Sequence, residues 1–176
     1  YKGVAVKNRE YYTNGNLKAE YERNERGEKE GYELLYYESG VLRAEYHYKA
    51  GKLHGVTKEY YENGNLVAEG NYRNGMLEGL SRIYYESGKL KAESSYKNDA
   101  LDGLCKMYYE SGQLRSENSY KNNLLNGISK TYYENGQLKE EVNYKDGQVV
   151  QENLETELKD FCNIAYEDDK LKLEFD

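Results

Sequence analysis

The chain has 176 residues, a formal net charge of −7, and 22 tyrosines that account for much of its 38% hydrophobic content. Leu, Ile, Val and Phe make up only about 18% of the chain, below the roughly 20% under which a charged chain is expected to be disordered. No run of about 18 apolar residues is present that could form a membrane-spanning helix, and the scattered Lys and Arg residues lack the basic stripe that nucleic-acid binding requires.

A regular internal repeat indicates that the chain folds despite this composition. The repeated block reads Tyr-Tyr-Glu-Asn/Ser-Gly-x-Leu, and successive copies are 24 residues apart after a first step of 25. The six copies begin at Tyr11, Tyr36, Tyr60, Tyr84, Tyr108 and Tyr132. Repeats that stack on their neighbours can bury a periodic, half-apolar pattern one face at a time.

Two turn signals divide each repeat into two strands. Asn63-Gly64 and Asn74-Gly75 are dipeptides that favour type I′ hairpin turns, because both central residues of such a turn need positive φ. We therefore predict two antiparallel strands of about ten residues in each repeat, and about twelve strands in all. The predicted fold is all-β, a single-layer antiparallel β-meander over residues 11–150, preceded by an N-terminal strand or partial repeat in residues 1–10.

This strand arrangement places different side chains on the two faces of the sheet. The register expected from the two turns includes the pairs Tyr61–Leu66, Tyr72–Leu77 and Gly70–Gly79. One face then carries small residues with Leu and Tyr at its margins. The other carries a row of Glu residues, each opposite a base except Glu45, which faces Leu34. The expected ion pairs are Arg9–Glu20, Lys58–Glu69, Arg82–Glu93, Lys106–Glu117 and Lys130–Glu141.

The first Tyr of each doublet is predicted to lie on this charged face, opposite a cation in most repeats. Because Tyr is enriched in protein interfaces, these residues form the candidate protein-binding site. Its members are Tyr36, Tyr60, Tyr84, Tyr108 and Tyr132 with Arg43, Lys91, Arg115 and Lys139. The alternative is cation–π packing with a structural role only. A turn with a G1 bulge would exchange the roles of the two Tyr rows.

The repeat pattern does not continue to the C-terminus. Thr156 and Glu157 occupy the positions of the Tyr doublet, and the apolar residues from Leu154 onward take helical spacing after a possible N-cap at Asn153. Residues 170–175 alternate like an edge strand. We predict that residues 151–176 form a non-repeat cap, a short helix plus an edge strand, that covers the last open edge; a functional tail is the alternative.

The Tyr-doublet block, followed by Tyr-Lys-Asn-Gly-x-Leu-x-Gly, resembles the MORN-repeat variant family of bacteria, whose members are often assigned as antitoxin components of toxin–antitoxin systems. The resemblance covers roughly residues 11–150. It implies a single-layer antiparallel β-meander and a protein-binding role. Eukaryotic relatives are associated with membrane junctions.

No set of residues in the sequence is typical of an enzyme, a cofactor site or a metal site. A nucleophile elbow, a glycine-rich phosphate loop and an HExxH motif are all missing from the chain. His47 and His54 are predicted to face each other, but two imidazoles fall short of the three or four ligands that a metal site normally has. We therefore expect no enzyme activity, no cofactor and no metal.

The remaining hypotheses concern partners. The first is a protein-binding scaffold, with a toxin as one possible partner. The second is a structural or cell-envelope protein that acts as a spacer or self-associates through its sheet edges. Nucleic acid is not expected, and binding to anionic membranes is disfavoured by the acidic composition. The sequence predicts no cellular compartment.

Overall fold

A computed structural model describes residues 6–150, and within them the chain forms one open antiparallel sheet. The predicted single-layer β-meander is therefore confirmed. The strands are β1 (Val6–Tyr11), β2 (Leu17–Arg23), β3 (Lys29–Tyr36), β4 (Leu42–Lys49), β5 (Lys52–Leu53), β6 (Gly55–Tyr60), β7 (Leu66–Arg73), β8 (Met76–Leu77), β9 (Gly79–Tyr84), β10 (Leu90–Lys97), β11 (Ala100–Tyr108), β12 (Leu114–Lys121), β13 (Leu124–Tyr132), β14 (Leu138–Lys145) and β15 (Gln148–Val149).

Sequential strands are neighbours throughout the sheet, and the short strands β5 and β8 pair with β4 and β7. Each short strand continues as β6 or β9 after a one-residue interruption. The described residues include no helix that is long and apolar enough to cross a membrane. The predicted C-terminal cap, residues 151–176, lies outside the described residues, as do residues 1–5 of the predicted N-terminal strand.

Two kinds of turn connect the strands, and only one of them is of the predicted type. Asn74 and Gly75 both have positive φ, 55° and 88°, as a type I′ turn requires. At the other turn only Gly64 has positive φ. There the Gly64 amide donates to the Tyr61 carbonyl at 2.9 Å and the Tyr61 amide donates to the Asn65 carbonyl at 2.8 Å. The type I′ prediction for Asn63-Gly64 is wrong, because this longer loop needs a single left-handed residue, supplied by glycine.

Bulges next to the turns change part of the predicted register. Tyr60, rather than Tyr61, is opposite Leu66, because the register shifts between Glu59 and Tyr60. Next to the type I′ turn at Asn74-Gly75, the predicted Tyr72–Leu77 pair is confirmed. The register then shifts by two residues, so that Ala68 is opposite Ile83 and Glu69 is opposite Arg82. The predicted Gly70–Gly79 pair is wrong for this reason.

The sheet has almost no interior. The buried apolar residues are three alanines, Ala19, Ala44 and Ala92, and no large side chain in the described residues is fully buried. We call the side of the sheet that carries them the Ala face. Tyr72 and Leu77 form a pair on this side, and a Cβ at Gly70 would lie 2.8 Å from Leu77 Cδ1. Glycine at this position therefore lets the Leu77 side chain cross the middle of the sheet.

The second Tyr of each doublet joins one repeat to the next. Its hydroxyl donates a hydrogen bond to the backbone carbonyl of the first Tyr in the following repeat. The five bonds run from Tyr12 to Tyr36 (2.7 Å), Tyr37 to Tyr60 (2.7 Å), Tyr61 to Tyr84 (3.1 Å), Tyr85 to Tyr108 (2.7 Å) and Tyr109 to Tyr132 (2.9 Å). Each bond spans two strands, so it holds adjacent hairpins together independently of the strand pairing.

The opposite margin of the sheet has a second set of links between repeats. Backbone amides in the two-residue turns donate to carbonyls of the preceding repeat, as in Gly75 to Leu53 at 2.8 Å and Asn123 to Leu101 at 2.9 Å. The Asn98 turn amide donates to the Glu78 carboxylate, and the carboxylate of the turn residue Asp99 accepts from the Leu77 amide of β8. Both margins are therefore tied along the array, which compensates for the small amount of buried apolar surface.

We predict that Tyr85→Phe lowers the free energy of unfolding by about 1 kcal/mol, the usual net value of one intramolecular hydrogen bond. Urea unfolding followed by circular dichroism measures the change. Tyr32→Phe is the control, because its ring is 64% exposed and a substitution at such a surface position should change stability by less than about 0.5 kcal/mol. Equal effects of the two substitutions would contradict the role of the Tyr85 hydroxyl.

Stability should also fall at alkaline pH. Burial, followed by the negative charge of Glu33, raises the pKa of Tyr48 to about 12, and burial also raises the pKa of Tyr72 and Tyr120. The stability that comes from the neutral Tyr48 phenol is complete below about pH 10, where the unfolded phenol is also neutral. It is lost between about pH 10 and pH 12, because only the unfolded state then ionises.

The measurement is the free energy of urea unfolding at several pH values from 8 to about 11.5. Tyr48→Phe should show a smaller alkaline loss than the wild-type protein, whereas Tyr32→Phe should show the same loss as the wild-type protein. A Tyr48→Phe curve parallel to the wild-type curve would rule out this explanation.

Candidate protein-binding surface

A row of alternating charges crosses the side of the sheet opposite the Ala face. The row takes one residue from each of the strands β1–β4, β6, β7 and β9–β14. Each of these residues is the Cα partner of the next one in the row. We call these residues the charged row and this side the charged face. In order, the row is Arg9, Glu20, Leu34, Glu45, Lys58, Glu69, Arg82, Glu93, Lys106, Glu117, Lys130 and Glu141.

The predicted ion-pair register is confirmed, and the row is more continuous than predicted. Glu45 faces Leu34 on one side, as expected, but its neighbour on the other side is Lys58. Arg82 lies between two carboxylates, with nitrogen–oxygen distances of 3.1 Å to Glu69 and 3.7 Å to Glu93. The contacts between hairpins were not predicted, because the register shifts by two residues beyond the type I′ turns and so places Glu69 opposite Arg82.

The ion pairs fix the register of neighbouring strands more than they stabilise the sheet. Lys106 Nζ lies 3.3 Å from Glu117 and Lys130 Nζ lies 3.2 Å from Glu141. Hydrogen bonds from Lys7 and then Arg9 lower the pKa of Glu20. Exposed pairs of this kind contribute about 0–1 kcal/mol each, so the charged row mainly fixes which residues face each other.

The predicted Tyr residues lie half-buried on the charged face, and two of them donate hydrogen bonds to carboxylates. The Tyr84 hydroxyl donates to Glu69 at 3.0 Å, and the Tyr108 hydroxyl donates to Glu93 at 3.2 Å. Burial is the main cause that raises the pKa of Tyr84 and Tyr108, and the nearby carboxylates add to it. The Cα partners across the strands are Tyr36–Leu42, Tyr60–Leu66, Tyr84–Leu90, Tyr108–Leu114 and Tyr132–Leu138.

The predicted cations therefore do not face the first Tyr of each doublet, and that part of the register is wrong. The bulge beside the long turn moves them by one position. Their charged groups lie over the second Tyr ring in three repeats, with distances to the ring centroid of 5.5 Å for Lys91–Tyr85, 5.8 Å for Arg115–Tyr109 and 5.8 Å for Lys139–Tyr133. Arg43 lies near Tyr37 and Tyr60 in the lining of a shallow 280 Å³ cavity. All four cations are exposed.

A second row on the charged face was missed by the sequence analysis. We call it the apolar row: Tyr32, Val56, Leu80, Leu104 and Ile128, which are between 40% and 64% exposed. Each lies two residues before the charged-row member of its strand. Smaller or more polar residues alternate with them on the intervening strands, namely His47, Asn71, Ser95, Ser119 and Asn143. The sequence contains a signal for this row, because each of its members directly follows a glycine, as in Gly79-Leu80 and Gly103-Leu104.

The charged row is interrupted at Leu34, and a cavity lies at this place. Its volume is about 500 Å³, and its lining includes Lys7, Glu20, Tyr32, Leu34 and Glu45. The neighbouring Tyr32 ring stacks against His47 with a centroid distance of 4.9 Å. The cavity shows that the charged face is not uniform along the array, because the first repeats present a concave, partly apolar region.

His47 and His54 are near each other, as predicted. A ring nitrogen of His47, Nδ1, makes a hydrogen bond with the backbone carbonyl of His54. The buried Nδ1 atom of His54 has no hydrogen-bond partner in the part of the chain that the structure describes. No group of three or more potential metal ligands occurs within residues 6–150.

Comparison with known proteins identifies the repeat. A family model described as "MORN repeat variant" matches six segments, residues 7–24, 29–50, 53–74, 77–98, 101–122 and 125–146. A search of curated proteins gave no match. MORN repeats are in general protein- or membrane-binding motifs, and the family is not known as enzymatic. The six matches cover most of the chain and coincide with the hairpins of the sheet, and the chain therefore belongs to the MORN repeat variant family.

Proposed function

We propose that this protein is a non-enzymatic protein-binding scaffold and that its charged face is the binding surface. The observation that carries this proposal is the apolar row, which repeats five exposed apolar side chains on one side of a sheet that has no second layer within residues 6–150. A sheet normally buries its apolar face against another element. Exposed apolar side chains that recur along one face, here on alternate strands, form a candidate interaction site.

The composition of the charged face fits a protein partner. Apolar and aromatic side chains at the centre of a patch, with charged groups beside them, are the arrangement found in protein interfaces. The charged row alternates in sign and thus has little net charge, so a strongly anionic or cationic partner has no general advantage. Strands about 4.8 Å apart over a twelve-strand array give a face roughly 58 Å long, more than a standard interface of about 800 Å² per partner needs.

The Tyr residues of the predicted site border this surface. Tyr36, Tyr60, Tyr84, Tyr108 and Tyr132 lie on the far side of the charged row from the apolar row. The hydroxyls of Tyr84 and Tyr108 donate hydrogen bonds to the charged-row carboxylates of Glu69 and Glu93. We infer that their ring edges extend the contact surface. Arg43, Lys91, Arg115 and Lys139 are proposed as contacts at the margin near the long turns, where they are exposed.

A toxin is the partner class that the family resemblance favours, and neutralisation would then follow from occupying the toxin's active surface. A protein captured on the charged face should, under this proposal, inhibit growth when it is produced alone. Co-production of the present protein should relieve that inhibition.

We predict that Leu104→Asp weakens partner binding at least fivefold, because a charge in an apolar contact costs at least about 1 kcal/mol. The experiment compares proteins retained from lysate of the source organism by immobilised wild-type protein and by the variant. Ile83→Asp is the matched control, because Ile83 is 45% exposed and Leu104 is 40% exposed but Ile83 lies on the Ala face, opposite Ala92.

A protein that the wild type and Ile83→Asp retain, and that Leu104→Asp does not, supports the charged face as the binding surface. Retention that is lost with Ile83→Asp and kept with Leu104→Asp would move the site to the Ala face. If neither substitution changes what is retained, the proposed surface is wrong.

A further inference from the structure

The charged row has a property that comes from its length and its alternation. It has twelve positions, which alternate between basic and acidic residues except at Leu34. When an alternating row with an even number of positions is reversed, every basic position coincides with an acidic one. The centre of this row lies between Glu69 and Arg82, on β7 and β9.

A twofold rotation axis produces this reversal if it runs parallel to the strands, along the charged face, above the gap between β7 and β9. It would place the charged faces of two copies against each other, with strand order reversed and each row opposite itself. The pairs between copies would then be Glu69–Arg82, Lys58–Glu93, Glu45–Lys106, Leu34–Glu117, Glu20–Lys130 and Arg9–Glu141. Five of these six pairs join opposite charges, and each occurs twice because the interface is symmetric.

The apolar row is complementary under the same axis. Its members lie on alternate strands, so each would face a smaller or more polar residue of the second copy rather than another large side chain. In the centre, Leu80 would face Asn71 and Val56 would face Ser95. Large side chains opposite small ones can interdigitate, as the inner faces of packed sheets do.

The dimensions also suit such an interface. Two sheets pack about 10 Å apart, a gap that facing Glu and Lys or Arg side chains can span together. Because each sheet twists, its outer strands turn away from the axis, so contact is expected mainly over the six central strands. Six strands 4.8 Å apart and about 27 Å long cover roughly 800 Å², the area per partner in a standard stable interface.

We propose that the charged face binds a second copy of this chain in a face-to-face, twofold-symmetric dimer centred between β7 and β9. This inference rests on the proposed function, since it names one protein that the proposed binding surface accepts. It differs from association through sheet edges, because the strands of the two copies would not be hydrogen-bonded to each other.

The first test is sedimentation equilibrium of the full 176-residue chain. The wild-type protein should dimerise, and Leu80→Asp should raise the dimer dissociation constant at least tenfold. Ile83→Asp, at an equally exposed position on the other face of the same strand, should dimerise like the wild type. A wild-type protein that stays monomeric at about 100 μM, or a dimer that responds equally to both substitutions, would overturn the proposal.

The second test uses residues that meet only across the proposed axis. Within the chain Lys58 lies between Glu45 and Glu69. Glu93 lies between Arg82 and Lys106. Lys58→Glu and Glu93→Lys should each raise the dissociation constant at least tenfold. The double variant restores opposite charges between the copies, so its dissociation constant should return to within about threefold of the wild-type value.

The double variant separates the dimer from effects within one chain. Within the chain it puts like charges next to each other at both positions, so an intramolecular effect makes it worse than either single variant. Circular dichroism shows whether each variant is folded. If the double variant is unfolded, the comparison of Leu80→Asp with Ile83→Asp tests the dimer instead. A monomeric wild-type protein that still retains a partner dependent on Leu104 would overturn the dimer and leave the proposed function intact.

Discussion

The structure depends on the hydrogen bond from the second Tyr of each doublet to the next repeat. A single-layer sheet cannot obtain much stability from burial, and the buried apolar residues within residues 6–150 are only alanines. The bond from Tyr85 to the Tyr108 carbonyl spans two strands, so it links hairpins that strand pairing alone would leave free to twist against each other. The Tyr at the second position of each doublet is explained in this way, because a shorter side chain could not reach that carbonyl.

The alternation of side chains along each strand separates the packed face from the proposed binding surface. Ala44, Gly70 and Ala92 are small because Leu and Tyr side chains from the margins cover the Ala face. The charged face has no such requirement, so its apolar row can stay exposed without a cost to the packing on the other side. A repeat of this kind can therefore change its binding residues while it keeps its fold.

Most of the fold could be predicted from the sequence, because the 24-residue period fixes where the turns occur and strand alternation fixes the two faces. The ion pairs such as Lys106–Glu117 followed from the same reasoning and are correct. The local errors all arise at bulges. Asn63-Gly64 reads as a type I′ turn by its dipeptide, but the length of the loop decides its conformation. The two-residue shift after Leu77 depends on how two hairpins dock, which no local signal shows.

These bulges had the largest effect on the candidate site. A shift of one position moved Lys91 from Tyr84 to Tyr85, and it left the first Tyr of the doublet with a carboxylate partner. The apolar row was missed because residues such as Leu80 and Leu104 look like core residues in a sequence, where apolar character usually indicates burial. A single-layer sheet breaks that rule, since it has two faces and buries little on either. Under the proposed function, the exposed apolar positions of the charged face are therefore the residues at which partner binding should be sought.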